Sequence, residues 1–241
     1  MKRKVSTLLV SLAAFGTLVG GCWNDLDEHC RRCLIVDEHA PRLPPIASET
    51  RAVVILVHGA FGFGDEWQPL VTAVRARPHA ALVAFGWTGP FARNPTLAAQ
   101  GLLRLLQATV DAAPPAAEIL VIGHSAGGAL AEFAAERLRV PAGRRVRIAS
   151  IAAPDMNLAP YHPATSVNTP LGVAVGGEQA QKGAIAAGVD FVAYATADPP
   201  QAPELGASAQ PGVRRVWLGR AVSHNGSVAL AGLPLVNALS P

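Results

Sequence analysis

The residues whose spacing is most informative about chemistry are Gly123-His124-Ser125-Ala126-Gly127. An apolar run precedes this stretch and a small-residue segment follows it, as expected for a buried strand that leads into a helix. A sharp turn between the two would expose the side chain at its apex. A side chain at either glycine position would crowd the adjoining strand or helix. The pattern therefore predicts that Ser125 is presented as a nucleophile.

The elements that must position this serine alternate along the chain. Residues 52–57 (AVVILV) are continuously β-branched or aliphatic, which is typical of a strand buried on both faces. Similar patterns predict strands over 80–85, 118–122, 146–152, 191–196 and 213–218, and helices over 68–77, 95–113, 126–139 and 226–239. Strands that alternate with helices predict a single α/β domain with a doubly wound, mostly parallel sheet.

One long connection departs from this alternation. Residues 155–188 contain Pro160, Pro163 and Pro170 and form a small insertion between two predicted strands. Connections of this length tend to be functional, and ligands gather at the carboxyl ends of parallel strands. Because the insertion leaves the sheet from that edge, we expect it to cover the site. The sequence does not determine whether it closes over a substrate as a lid.

Two motifs together resemble the α/β-hydrolase fold superfamily over about residues 51–230. The first is the Gly-x-Ser-x-Gly turn at Ser125, which resembles the nucleophile elbow. The second is the stretch His58-Gly59-Ala60, which resembles the oxyanion loop of its lipases and esterases. The resemblance implies that the backbone N–H groups of Ala60 and Ala126 stabilise a negatively charged oxygen. It also assigns His58 and His124 to structural roles.

The same resemblance implies the other members of a catalytic triad, because the superfamily order is serine, acid, histidine. His224 follows the last predicted strand, where the family's catalytic histidine lies, whereas His162 falls in the proline-rich insertion. Asp198 directly follows the strand that usually donates the acid, and Asp155 is the alternative from an earlier strand. The stretches FGW at 85–87, IAAPD at 151–155 and YATAD at 194–198 resemble a bacterial α/β-hydrolase branch of unknown function.

The first 21 residues have the composition of an export signal. A basic start, MKRK, precedes an apolar run of insufficient length to span a bilayer unaided. The segment ends in small residues before Cys22, which resembles the lipobox of bacterial lipoproteins and predicts a lipidated, palmitate-bearing Cys22. An ordinary signal peptide with Cys22 in a disulfide is the alternative. Both interpretations export the protein, and Trp23 after Cys22 slightly favours the periplasmic face of the outer membrane.

The segment between this signal and the domain, residues 22–50, is expected to act as a tether. Cys30 and Cys33 lie within it and are separated by two residues. A zinc site needs about four ligands, and the sequence shows no second such pair. Export to an oxidising compartment therefore predicts a short-loop disulfide between Cys30 and Cys33, with no metal site.

The charge pattern argues against nucleic acid as a partner. The formal net charge is +3, and Lys2, Arg3 and Lys4 of the signal supply three positive charges, so residues 22–241 are formally neutral. A local cluster remains at Arg144, Arg145 and Arg147, which we interpret as a solvated entrance to a strand. The partners expected are an ester substrate and, through the lipid anchor, a membrane.

These expectations converge on an exported serine hydrolase that cleaves carboxylic esters, as an esterase or lipase does, and that needs no cofactor. A deacylase, amidase or thioesterase acting on an envelope conjugate would use the same triad. A non-catalytic binding or scaffold protein with this fold is the third alternative, although it would have no reason to keep every member of the site. The sequence leaves the substrate and its chain length open.

Overall fold

The computed structural model describes residues 34–37, 41–59, 62–87, 95–153, 184–196, 213–219 and 221–240. A sheet of seven parallel strands forms its centre, with the spatial order β1-β3-β2-β4-β5-β6-β7. The strands are β1 (Leu34–Asp37), β2 (Ala52–Val57), β3 (Ala80–Gly86), β4 (Glu118–His124), β5 (Arg145–Ile151), β6 (Val189–Ala195) and β7 (Arg214–Trp217).

Four helices cover the two faces of this sheet. They are α1 (Gln68–Arg75), α2 (Pro95–Ala112), α3 (Ala126–Arg137) and α4 (Gly226–Asn237), and a 3₁₀ turn, Asp65–Trp67, leads into α1. One face packs against α2 and α3, and the other packs against α1 and α4. None of these described helices is both long enough and apolar enough to cross a membrane.

The core is built on β2, whose six side chains are all buried. Val53, Ile55 and Val57 pack into the cluster on the α2–α3 face, while the alternate residues pack into the cluster on the other face. Such two-sided burial needs apolar residues at every position and stabilises the fold by about 1.5–3 kcal/mol for each large side chain.

The fold class predicted from the sequence is confirmed, and its strands and helices lie within a few residues of their predicted limits. Two features differ. Residues 34–37, placed in the tether by the sequence analysis, form the edge strand β1, which pairs with β3. The insertion over 155–188 lies outside the described residues except for its last five, 184–188, which lead into β6.

The strand order makes the carboxyl edge of the sheet the place where loops separate. From β2 the chain passes first to β3 on one side and then to β4 on the other. Loops therefore diverge at the carboxyl ends of β2 and β4, and open α/β sheets bind ligands at such a point. His58 and Gly59 follow β2 there, and Ser125 follows β4.

The opposite, amino edge of the sheet is joined to α2 by an arginine. The Arg144 guanidinium donates to the carbonyl oxygens of Val110 at 2.6 Å and Ala113 at 2.8 Å, and also to that of Pro114. These carbonyls lie at the end of α2, where helical carbonyls lack intrahelical partners and carry partial negative charge.

Arg144→Ala should therefore lower the free energy of unfolding by about 1.5–3 kcal/mol, since it removes charged hydrogen bonds from a partly buried helix end. The adjacent Arg145→Ala is the matched control, because Arg145 pairs with Glu118 at the surface and such pairs contribute about 0–1 kcal/mol. Urea unfolding of both variants measures the difference. Equal losses would show that Arg144 does not cap α2.

Candidate active site

Ser125 occupies a strained turn between β4 and α3. Its backbone angles are φ 54° and ψ −126°, in the left-handed half of conformational space that side-chain-bearing residues rarely adopt. Strain of this kind costs about 1–3 kcal/mol and is concentrated at functional sites. The Ser125 N–H donates to the Ile151 carbonyl at 2.8 Å, which ties the turn to the end of β5. The turn thus has the backbone expected of a nucleophile elbow.

The two glycines of the motif are required by close packing. A β-carbon at Gly123 would lie 2.5 Å from the carbonyl oxygen of Gly127. A β-carbon at Gly127 would overlap the carbonyl oxygens of Val57 and His58 at the end of β2. Because the obstructing atoms are all backbone, the strand, the turn and the helix can approach this closely only with glycine at both positions.

The loop after β2 lies directly against the serine. A β-carbon at Gly59 would be 2.9 Å from Cβ of Ser125 and 3.5 Å from its Oγ. Ala126 is the first residue of α3, and first-turn N–H groups have no intrahelical partner. The oxyanion role of this amide stays a prediction, and Ala60 lies outside the described residues.

His58 fastens the loop after β2 to the end of β3. Its Nε2 accepts a hydrogen bond from the Trp87 backbone N–H at 3.1 Å, so its Nδ1 carries the proton and donates to the Gly59 carbonyl at 2.6 Å. The Trp87 indole N–H donates in turn to the His58 carbonyl at 2.9 Å. Burial lowers the pKa of His58 to about 4, although the two backbone hydrogen bonds oppose the shift. His58 is a neutral structural residue at pH 7, as expected.

His224 lies beside the elbow, in the loop between β7 and α4. Its ring centroid is 4.5 Å from that of His124, the residue that precedes Ser125. The backbone carbonyl of His224 accepts hydrogen bonds from His124 Nε2 at 3.0 Å and from Ser227 Oγ at 2.5 Å. Its Nδ1 atom is shielded from solvent. The structure therefore brings the predicted base to the predicted nucleophile's turn, across about a hundred residues of sequence.

His124 has a larger part in the site than the sequence analysis gave it. Burial, followed by repulsion from His224, lowers the pKa of His124 to about 3, although its hydrogen bond to the His224 carbonyl opposes the shift. Because a carbonyl oxygen can only accept, the single proton of the neutral ring lies on Nε2, which donates to the backbone of His224. The position of His124 directly before Ser125 was the only sign of this role in the sequence. Its partner, the His224 carbonyl, becomes visible only in the folded structure.

Three buried aromatic residues pack against His58 and His124. The Phe63 ring lies 4.8 Å from that of His58, and the Trp67 ring lies 6.3 Å from that of His124. Trp67 and Trp87 are each 1% exposed. The rings of Phe63, Trp67 and Trp87 thus hold the two histidines in position.

Several predicted site residues fall outside the described ranges, and their roles stay predictions. The two candidate acids, Asp198 and Asp155, follow β6 and β5, and both of those strands end at the edge where Ser125 lies. Their chain positions are thus compatible with either acid. The residues concerned are Ala60, Asp155, Asp198, Cys22, Cys30 and Cys33.

The two buried histidines should make the protein less stable as the pH falls. Their folded pKa values, about 4 for His58 and about 3 for His124, lie below the ordinary 6.5, so the unfolded chain binds these protons first. Stability should fall as the pH drops below 6.5, by about 3 kcal/mol for each histidine at pH 4.

Urea unfolding between pH 7 and pH 4 measures this loss in the wild type and in His58→Gln and His124→Gln. Each variant should have a shallower pH dependence than the wild type, whatever its stability at pH 7. His79→Gln, which replaces an exposed histidine, is the control. Parallel pH profiles for all four proteins would contradict the assignment of two buried, neutral histidines.

Comparison with known proteins agrees with this geometry. Residues 54–238 match the model of the alpha/beta hydrolase family. A similar solved structure, from Silicibacter sp. TM1040 with a provisional thioesterase assignment in its name, has a TM-score of 0.57 at 13% identity, covering 94% of this chain and 92% of that one. The lin2722 product of Listeria innocua has a TM-score of 0.52 at 10% identity, covering 80% and 96%. RedJ has a TM-score of 0.50 at 15% identity, covering 83% and 95%.

Identities this low show a shared fold, and no curated protein sequence matches the chain. The family match, in contrast, is a match of sequence. It extends from β2 to the end of α4 and includes both Ser125 and His224. It covers well over half of the sequence. The chain therefore belongs to the alpha/beta hydrolase family.

Proposed function

We propose that this protein is an exported, lipid-anchored serine hydrolase that cleaves carboxylic esters through Ser125, His224 and Asp198. The observation that carries the proposal is the strained backbone of Ser125, next to a histidine that packs against the imidazole of His224. Family membership supports a hydrolase in general terms. The ester bond, the export and the lipid on Cys22 are the proposal's own additions.

The mechanism begins with proton transfer from the Ser125 hydroxyl to the imidazole of His224, because an uncharged serine is a weak nucleophile. The oxygen attacks the ester carbonyl carbon, and the carbonyl oxygen takes up the negative charge. The Ala126 N–H at the start of α3 and the Ala60 N–H donate to that oxyanion, where the loss of a single donor typically costs about 10²–10³-fold in rate.

The tetrahedral species collapses when the imidazolium of His224 protonates the departing alkoxide. An alcohol leaves and an acyl group remains on Ser125. Water, deprotonated by the same histidine, then attacks the acyl-enzyme and releases the carboxylic acid. Throughout, Asp198 holds one tautomer of His224 and stabilises its positive charge without taking the proton.

Hydrogen bonds to its backbone support a fixed position for His224 as the base. The His224 carbonyl is held by both His124 and Ser227, so the backbone that carries the imidazole is fixed from two elements, β4 and α4. Small misplacements of a base cost large factors in rate. Neutral His124 also avoids placing a second permanent positive charge beside the imidazolium that forms during the reaction.

Ser125→Ala and His224→Gln should each reduce hydrolysis of p-nitrophenyl esters by roughly 10⁴–10⁶-fold, since nucleophile and base act as a unit. A fluorophosphonate probe should label the wild type at Ser125 and leave Ser125→Ala unlabelled. Ser48→Ala is the matched control, because Ser48 is exposed and its hydroxyl donates to the neighbouring Glu49 carboxylate, away from the candidate site. Urea unfolding verifies that each variant is folded.

The substrate panel separates the competing functions. It includes esters of increasing acyl length, an acyl thioester and an acyl amide, because thioesterases, deacylases and amidases would use the same atoms. Labelling of Ser125 without ester turnover would overturn the ester proposal in favour of those activities. Absence of both labelling and turnover would indicate a non-catalytic binding protein.

Asparagine substitutions at the two candidate acids distinguish Asp198 from Asp155. Asp198→Asn should lower kcat by roughly 10³–10⁴-fold, because the amide no longer stabilises the imidazolium of His224. Asp155→Asn is the matched substitution at the alternative position and should leave kcat within a fewfold of the wild type. Steady-state kinetics on one ester compare the two. If the larger loss occurs in Asp155→Asn, the acid comes from the loop after β5.

A further inference from the structure

Among the described residues, three that are not glycine have a backbone in the left-handed region. They are His79 (φ 60°), Ser125 (φ 54°) and Ala152 (φ 47°). Ser125 is the candidate nucleophile, and His79 lies in an exposed turn before β3. Ala152 directly follows β5, is 0% exposed and has no part in the proton transfers proposed for the triad. Because strained residues are concentrated at functional sites, the strain at Ala152 indicates a role there.

The left-handed turn at Ala152 interrupts the alternation of side chains along β5. In an extended strand, consecutive side chains point to opposite faces of the sheet. Ala149 and Ile151 pack into the cluster on the α1–α4 face, so an extended chain would send Ala152 to the α2–α3 face. Ala152 instead packs into the same cluster as Ile151. The chain therefore changes direction where it leaves β5, beside Ser125.

This change of direction gives the end of β5 two contacts with the nucleophile elbow. The Ile151 carbonyl accepts the Ser125 N–H at 2.8 Å. A β-carbon at Gly128, in the first turn of α3, would lie 2.7 Å from Cβ of Ala153. Ala152 lies between the two contacting residues, so its backbone angles decide whether both contacts form together. The elbow is thus held from β5 as well as from β2.

Ala152 cannot relax without disturbing these contacts. Its N–H donates to the Tyr194 carbonyl of β6 at 2.8 Å, which fixes the peptide group on the amino side of Ala152. Rotation of φ to an ordinary negative value would then move both the buried methyl group and Ala153, which packs against Gly128. The methyl group therefore keeps the turn in one conformation.

Glycine at this position would behave differently from alanine. It would adopt a positive φ without strain, but it would populate negative φ about as readily, because it has no β-carbon. Alanine with a buried methyl group is restricted to the turn that the elbow needs. Small misplacements of reacting groups cost large factors in rate, so the more restricted turn should give the more reactive serine.

We propose that Ala152 is a positioning residue, whose strained turn holds the Ser125 backbone in the arrangement that reacts. This inference rests on the proposed hydrolase function and deepens it, because it adds a residue that acts only through Ser125. The strain at Ala152 serves reactivity rather than stability, a combination that is known from strained active sites.

Ala152→Gly separates the two effects. Relief of strain raises the free energy of unfolding, whereas loss of a buried methyl group and the greater freedom of the unfolded chain lower it, so stability should change little. The kcat for a p-nitrophenyl ester and the rate at which a fluorophosphonate labels Ser125 should each fall about tenfold. KM should stay the same, because no substrate contact is removed.

His79→Gly is the matched control. It relieves strain of the same kind in an exposed turn at the amino edge of the sheet, where the His79 carbonyl accepts the Arg51 N–H at 2.8 Å. Both kcat and the labelling rate should equal those of the wild type. Urea unfolding of the two glycine variants and the wild type measures stability.

Amide hydrogen exchange provides a measurement that does not depend on catalysis. The Ser125 N–H donates to the strand end that Ala152 holds, so it should exchange at least about tenfold faster in Ala152→Gly than in the wild type. The N–H of Val121, in the middle of β4, should exchange at the same rate in both proteins.

Full reactivity of Ala152→Gly, or unchanged exchange at Ser125, would overturn the proposal. A loss of kcat matched by a loss of unfolding free energy would do so as well, because that pattern shows a purely structural role. Failure of the hydrolase function looks different, since the wild type itself would then neither turn over esters nor be labelled. In that case the exchange at Ser125 still decides whether Ala152 holds the elbow.

Discussion

Ser125 holds a backbone conformation, φ 54°, that costs an L-residue about 1–3 kcal/mol, and the surrounding packing has to supply this free energy. It does so by bringing three backbone segments into direct contact. The end of β2 lies against Gly127, the start of α3 lies against Gly123, and the end of β5 accepts the Ser125 N–H. Because each contact involves main-chain atoms, the turn cannot relax without moving a strand or a helix.

The loops around this turn are held by neutral histidines. His58 joins the loop after β2 to β3, and His124 joins the elbow to the backbone of His224. An imidazole suits both tasks because it offers a donor and an acceptor on a rigid ring. Burial keeps each ring uncharged at pH 7, so the hydrogen bonds are retained without a buried cation beside the reacting groups. As a consequence, the folded state loses stability in acid, because the unfolded chain binds protons at these histidines more readily.

The two edges of the sheet are specialised in different ways. The carboxyl edge carries the strained serine, glycine-rich loops and the small acidic turn at Asp65–Trp67. The amino edge carries arginines, one of which caps α2 while others remain exposed. In a parallel sheet every strand contributes one end to each edge, so residues from distant parts of the sequence accumulate on the same surface.

Much of this protein could be predicted from local patterns in its sequence. Continuous apolar runs such as 52–57 predict buried parallel strands, and the glycines around Ser125 predict a tight strand-to-helix turn, because periodicity and backbone permissiveness are properties of neighbouring residues. The helices and the fold class follow from the same signals. The superfamily resemblance adds His224 and the two candidate acids, whose order along the chain is characteristic even though they are far apart.

Tertiary structure decided what depends on pairing between distant segments. Leu34–Asp37 becomes an edge strand through its register with β3, and its four residues are too few for a periodic signal. His124 receives its partner because the loop after β7 folds over the end of β4. Arg147 receives Asp190 as its ion-pair partner because β5 pairs with β6. Strand register, loop closure and burial arise from the whole chain, so no short stretch of sequence determines them.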